Sequence, residues 1–190
     1  MLADKLSFSR INGQWFAIFG VLNALAYGAH LFMDKENYKY HFAYTAYPAR
    51  IFKPFKSMIG SDTLANVIWT APTLIGLSIY MQKQVGPMVM TKFFALSLFS
   101  SFVFLSAVNP QSGLNYRPLR QFIPKFDSYA DDGSYYMGAD QMCQALIYFT
   151  LIYHRYWMIA LPFMAFDFLY YGPSTLGGLF AGAAGGLMLL

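Results

Sequence analysis

Two acids lie where an acid is expensive. Asp140 and Asp167 each fall inside an otherwise apolar run. A charged side chain at the centre of a bilayer helix costs ~2.5–3.5 kcal/mol on insertion scales, so such residues face the protein interior and find a partner there. Asp140 sits in the first turn of its run, where the helix dipole favours a carboxylate. Asp167 sits deeper, and Tyr170, Tyr171 or another subunit are its candidate partners. A proton or ion path is the functional use of such acids, but no relay of similar residues accompanies this pair. Ser97, Ser100, Ser101 and Ser106 share one apolar run. A serine nucleophile needs an adjacent base, and no histidine is placed on a facing run to supply one. His30 and His154 lie at the ends of runs, and His41 in a polar connection. A haem would need two axial ligands on facing helices at one depth. Histidines at run ends are read as interfacial, so no cofactor and no metal site is expected. Cys143 is the only cysteine, which excludes an intrachain disulfide and a C-x-x-C redox or metal site.

The elements that must position these residues are set by composition. Of 190 residues, 57% are hydrophobic and 12% charged, about half the ~25% of soluble domains. Lipid must therefore cover much of the surface. The net charge of +4 comes from basic residues that sit almost entirely between the apolar runs, as flanking charge beside membrane helices does. Without a basic stripe interleaved with aromatics, no nucleic-acid partner is expected.

Six apolar segments stand out, at about 14–33, 64–81, 89–108, 137–153, 157–171 and 174–190. A spanning helix needs ~20 apolar residues, so the fifth is short. Gly86-Pro87, Asn109-Pro110 and Gly172-Pro173 separate the runs, since a residue before proline disfavours the helical region. Trp15, Trp69 and Trp157 lie near span ends, where amphipathic rings favour the headgroup layer. The expected fold class is all-α: a polytopic membrane helical bundle of about six transmembrane helices, in one transmembrane domain over residues 1–190. Two long polar connections, Asp34 to Ser61 and Asn109 to Tyr136, fall on one side if every span crosses. They carry eight of the 13 basic residues, but over longer loops, a weak vote that leaves orientation open. The N-terminus lacks the features of a cleavable signal peptide, and no soluble domain is expected after the last span.

Glycine is concentrated at the end of the chain. Gly178, Gly182 and Gly186 recur every four residues, as do Ala181 and Gly185, with Gly177 one step before that second row. Spacing of four puts small residues on one helix face, where another membrane helix can approach closely.

Together these motifs resemble the rhomboid family of intramembrane proteases, over about residues 12–190. That family's last core span begins Ala-His and continues with glycines at four-residue intervals; here the glycines are kept and Thr175 stands at the catalytic histidine. Its fourth span begins Gly-x-Ser-Gly; here Gly138-Ala139-Asp140-Gln141 puts Asp140 at the nucleophile. Its second span begins His-x-x-x-Asn around the oxyanion region; here Asp62 replaces the histidine and Asn66 is kept. Ala49-Arg50 keeps the arginine of a Trp-Arg pair in the first long loop. Gln84-Val85-Gly86 is similar to a Glu-x-x-Gly turn.

The resemblance implies a rhomboid-like bundle without peptidase activity, because both members of the dyad are replaced. The expected role is structural, as an accessory subunit of a respiratory-chain or ATP synthase complex in the mitochondrial inner membrane. Other membrane subunits and phospholipids would be its partners. The alternative is a derlin-like quality-control or transport protein, although no soluble tail of the kind through which derlins recruit partners is expected after Leu190.

Overall fold

Two Gly-Pro pairs punctuate the chain. Gly86 and Gly172 have φ of 85° and 84°, a left-handed region that only glycine enters without penalty. Each is followed by a proline whose fixed φ suits the first position of the next helix. In the computed structural model, residues 14–43, 53–107, 118–119, 122–123 and 136–189 are described. They form α1 (Trp15–Phe32), α2 (Lys35–Phe42), α3 (Lys53–Ile59), α4 (Leu64–Val85), α5 (Pro87–Ala107), α6 (Asp140–Tyr153), α7 (Trp157–Tyr171) and α8 (Leu176–Leu187), with a 3₁₀ turn over Pro173–Thr175 before α8. There is no strand among the described residues.

Three helices, α1, α4 and α5, are long and apolar enough to cross a membrane, which fits a membrane location. The segment 157–171 matches α7, whereas α6 and α8 are shorter than their apolar segments suggest. The segment 137–153 becomes helical only at Asp140, and 174–190 spends its start in the 3₁₀ turn. At 1.5 Å per residue, α6, α7 and α8 are about 21, 22 and 18 Å long, against a hydrocarbon core of ~30 Å. Conversely α4 runs on past Met81 to Val85, and α5 starts at Pro87, ahead of Val89. The first polar connection holds two short helices, α2 and α3; α2 starts where the Asp34 carboxylate accepts from the Asn37 amide at 3.3 Å, satisfying one orphan donor of the first turn. The break at Asn109-Pro110, Arg50 and most of the second polar connection lie outside the described residues.

Side-chain contacts fix the helix directions. Asn66 near the start of α4 bonds Asp140 at the start of α6, and Tyr80 near the end of α4 bonds His154 just beyond α6; these two helices are parallel. Successive glycines of α8 meet successive turns of α6, from Gly178 at Gln141 to Gly186 at Ile152, so α8 runs the same way. Going up α5, Phe93 lies at Gly185 and Ser100 at Gly177, which makes α5 antiparallel to them. Along α1, Gly20 meets Leu74 and Asn23 bonds Thr70, so α1 is antiparallel to α4.

The core lies around α6. Ten of its 14 residues are buried. Phe149 stacks on Phe93 with ring centroids 4.1 Å apart, and Phe93 meets Phe16 in a tilted contact at 5.4 Å; aromatic pairs add to area burial. Helix α7 is the opposite case: only Ala160, Tyr170 and Tyr171 are buried, and Met158 is 91% exposed.

Candidate functional site

Polar side chains converge where α4, α6 and α8 begin. The Asn66 amide donates to Asp140 Oδ1 at 2.7 Å, and Ser61 Oγ donates to Asn66 Oδ1 at 3.2 Å. One turn further along the same face of α4, Thr70 Oγ1 donates to Asn23 Oδ1 at 2.9 Å, and the Asn23 amide donates to the Ile59 carbonyl at 2.8 Å. The turn between α3 and α4 is thereby clamped from two helices. Asn23, Ser61, Asn66, Thr70 and Asp140 are all buried, and buried polar groups are stable only when bonded in this way.

Tyr38 closes the cluster from α2. Its hydroxyl donates to the Ser61 carbonyl at 2.9 Å and accepts from the Ser61 amide at 3.0 Å. Burial pushes its phenol up to about 12; the bond to the Ser61 backbone opposes that rise and the nearby Asp62 carboxylate adds to it. Gly60 allows this turn to sit close, since a Cβ there would lie 2.7 Å from Met137 Cγ and 2.8 Å from Phe42 Cβ. The Gly138 amide donates to the Ser57 carbonyl at 2.7 Å, which ties α3 to the approach of α6.

The residues singled out by motif come together in part. Asn66 and Asp140 are in direct contact, and Asp62 lies half-buried two residues before α4. Thr175 is buried at the head of α8, and its Oγ1 donates to the carbonyl of Gly172 at 2.9 Å, so the hydroxyl is spent on its own turn. Asp167, half-buried on α7, accepts a hydrogen bond from Tyr148 of α6. That donor corrects the expectation of Tyr170 or Tyr171, and it lies one helix back in the chain. His30 packs on Tyr38 with ring centroids 4.7 Å apart, by the start of α4, whereas His154 bonds Tyr80 by its end; the two histidines cannot hold one haem. Of the serines, Ser97 bonds the Phe93 carbonyl and Ser100 that of Gly177, at 2.8 and 2.9 Å.

The glycine rows divide between two neighbours. A Cβ at Gly178 would collide with the Gln141 carbonyl, one at Gly182 would lie 2.7 Å from the Ala145 carbonyl, and one at Gly186 2.6 Å from Ile152 Cγ2. The second row faces α5: Gly177 lies against Ser100 and Ser101 and Gly185 against Phe93, with Ala181 fully buried between them.

Sequence reasoning missed Asn23, Ser61, Thr70, Tyr38 and Tyr148. A polar residue in an apolar run was the only available signal for the first and third, and it does not name a partner. Comparison with protein-family models, with curated proteins and with solved structures finds no match. What the geometry offers chemically is a hydrogen-bonded network of one carboxyl, two amides and several hydroxyls, suited to holding helices in register.

Proposed function

We propose that this chain is a non-catalytic, rhomboid-like membrane bundle of six spans with a structural role, an accessory subunit of a larger membrane assembly. The observation that carries this reading is the state of the two dyad positions. Asp140 is held by Asn66, and Thr175 is bonded to its own turn at Gly172. Rhomboid-type catalysis needs a serine hydroxyl and a base in mutual reach; Asp140 has no hydroxyl to attack with, and Thr175 cannot serve as the base. The parallel course of α4, α6 and α8, with Asn66, Asp140 and Thr175 at their heads, supports the rhomboid-like arrangement. The apolar outer surface of α7 supports contact with lipid or other subunits.

Extraction in mild detergent followed by native mass analysis tests the role. A stable large complex is expected, and fractionation should place it in the mitochondrial inner membrane, as part of a respiratory-chain or ATP synthase complex. Recovery of the chain alone would remove the structural reading. Incubation with a panel of transmembrane substrates should give no cleavage; cleavage that vanishes in Asp140→Ala or Thr175→Ala would restore an enzyme.

A further inference from the structure

Between α4, α6 and α7 lies a cleft of about 420 Å³, walled by Trp69, Phe163 and Phe166 and floored by Gln144, Tyr148 and Asp167. Asp140 reaches it from the polar cluster. We propose that this cleft binds an uncharged amphiphile whose polar end carries a hydroxyl group. The proposal requires the chain to lie in a membrane, and it holds whether or not the chain is catalytic.

Gln144 is the starting point. It is 4% exposed, and its amide oxygen has no hydrogen-bond partner. Its amide nitrogen reaches only the Asp167 carboxyl, in a contact too poor in geometry to satisfy it. Leaving such a group unsatisfied costs ~1–3 kcal/mol, and each instance in a folded protein calls for an explanation. A primary amide offers a donor and an acceptor; a ligand hydroxyl matches both with one atom. The acids beside it add acceptors, since Asp167 and Asp140 are both receiving hydrogen bonds from the protein. The site therefore asks for a ligand that donates.

Charge narrows the choice. An anionic headgroup would face two carboxyl groups at low dielectric, where repulsion is strong. Any full charge carried to this depth adds the cost that keeps ions out of bilayers. The walls call for a large apolar body. Trp69 and Phe163 are 52% and 56% exposed, so the cleft opens sideways between α4 and α7, onto the face that meets lipid. One ordered water would satisfy part of Gln144 but occupies ~30 Å³, a small fraction of the space. The volume lies within the ~300–1,000 Å³ of small-molecule sites.

Photolabelling of the purified full chain in nanodiscs tests this. The probes are a diacylglycerol and a prenylated hydroquinone, each with a diazirine on its apolar arm, beside a phosphatidic acid with the same acyl chains as the diacylglycerol. Either hydroxyl probe should label peptides of α4, α6 and α7, and unlabelled compound should compete; the one that labels more identifies the source. Losing the bonds to Gln144 predicts about a tenfold fall in labelling for Gln144→Leu, equivalent to ~1.4 kcal/mol. Phe163→Trp, at the exposed rim, should lower labelling while leaving the polar floor intact, which keeps the test decisive if Gln144→Leu fails to fold. Labelling by phosphatidic acid to the same extent, labelling indifferent to Phe163→Trp, or no labelling above that of α5 peptides would overturn the proposal.

Discussion

Replacing Gly182 by alanine adds one methyl group between α6 and α8. That methyl would sit 2.7 Å from the Ala145 carbonyl oxygen and 2.7 Å from Tyr148 Cβ. Ordinary contact begins near 3.4 Å, so the helices must part by about 0.7 Å, the difference of 3.4 and 2.7. A gap of ~0.5–1 Å forfeits a quarter to a half of the dispersion well for each contact along the seam. Overpacking of this kind costs ~1–3 kcal/mol. Against it stands a gain of ~0.5–1 kcal/mol, because alanine loses less backbone freedom than glycine in a helix. Gly28 and Gly76 supply the control. Both are inside helices, and a Cβ at either would meet nothing within 4 Å. Gly28→Ala and Gly76→Ala should therefore stabilise by the alanine term alone. The gap between Gly182→Ala and these controls isolates the steric term, ~1–3 kcal/mol. Unfolding of the three variants in mixed micelles, titrated with a denaturing detergent and followed by tryptophan fluorescence, measures it. If Gly182→Ala is as stable as Gly28→Ala, the close approach of α6 and α8 is wrong. Gly182→Leu should go further and disturb assembly, with Leu189→Ala near the chain's end mattering less.

Asn66→Ala and Asp140→Ala should each destabilise by ~1.5–3 kcal/mol, the worth of a hydrogen bond to a charged group; the double variant should cost less than their sum, and strict additivity in the same titration would show that the two do not interact. In a Cys143→Ser background, cysteines at Lys83 and Arg155 should be labelled from one side of the membrane and a cysteine at Lys35 from the other. Lys35 and Arg155 on the same side would leave α1, α4 and α5 as the only crossings. Tyr38 stays neutral in the fold up to about pH 12, whereas an unfolded phenol ionises near ~10. Its raised value favours the fold below pH 10, and that contribution is lost as pH rises from 10 through 12. Tyr38→Phe should flatten the fall of thermal stability across this window, and an unchanged slope would show that Tyr38 is not the group concerned.

The sequence exposed the apolar runs, the Gly-Pro breaks and the spacing of the glycines, because each is a local property of a few consecutive residues. Gly86 and Gly172 sit at helix junctions for a reason visible in their own dihedral angles. The later helix boundaries were less legible. Residues 137–139 are apolar enough to extend a span, yet Tyr136 bonds the Gly138 carbonyl and the Gly138 amide is taken by Ser57. Those backbone groups are committed to tertiary contacts before a helix can use them. The short helices α2 and α3 were likewise hidden in a stretch that reads as a polar connection. Partners across the fold were the least legible of all. Asp167 finds Tyr148 and Asn23 finds Thr70 only because of how helices are laid side by side, and an apolar run contains no record of its neighbours. Near residue 155 the chain turns with Arg155 at φ 63°, a conformation that nothing in the side chain announces.

The near-total burial of α6 has a consequence for how the molecule is made. The helix is 14 residues long and carries Asp140, Gln141 and Gln144 on its first two turns. Partition of such a segment into hydrocarbon on its own is unfavourable, since it is short for a span and each polar group carries its own penalty. Its place is assured only by neighbours: Asn66 for the acid, and the glycine seam of α8 for the backbone. Residues 176–187 are thus a condition for retaining a segment that precedes them by more than a full helix. A chain released before α8 has docked would leave α6 at the interface, with its acid and amides still hydrated. In a six-span bundle the insertion of α6 would then depend on its neighbours as a set and not on the partition of its own residues.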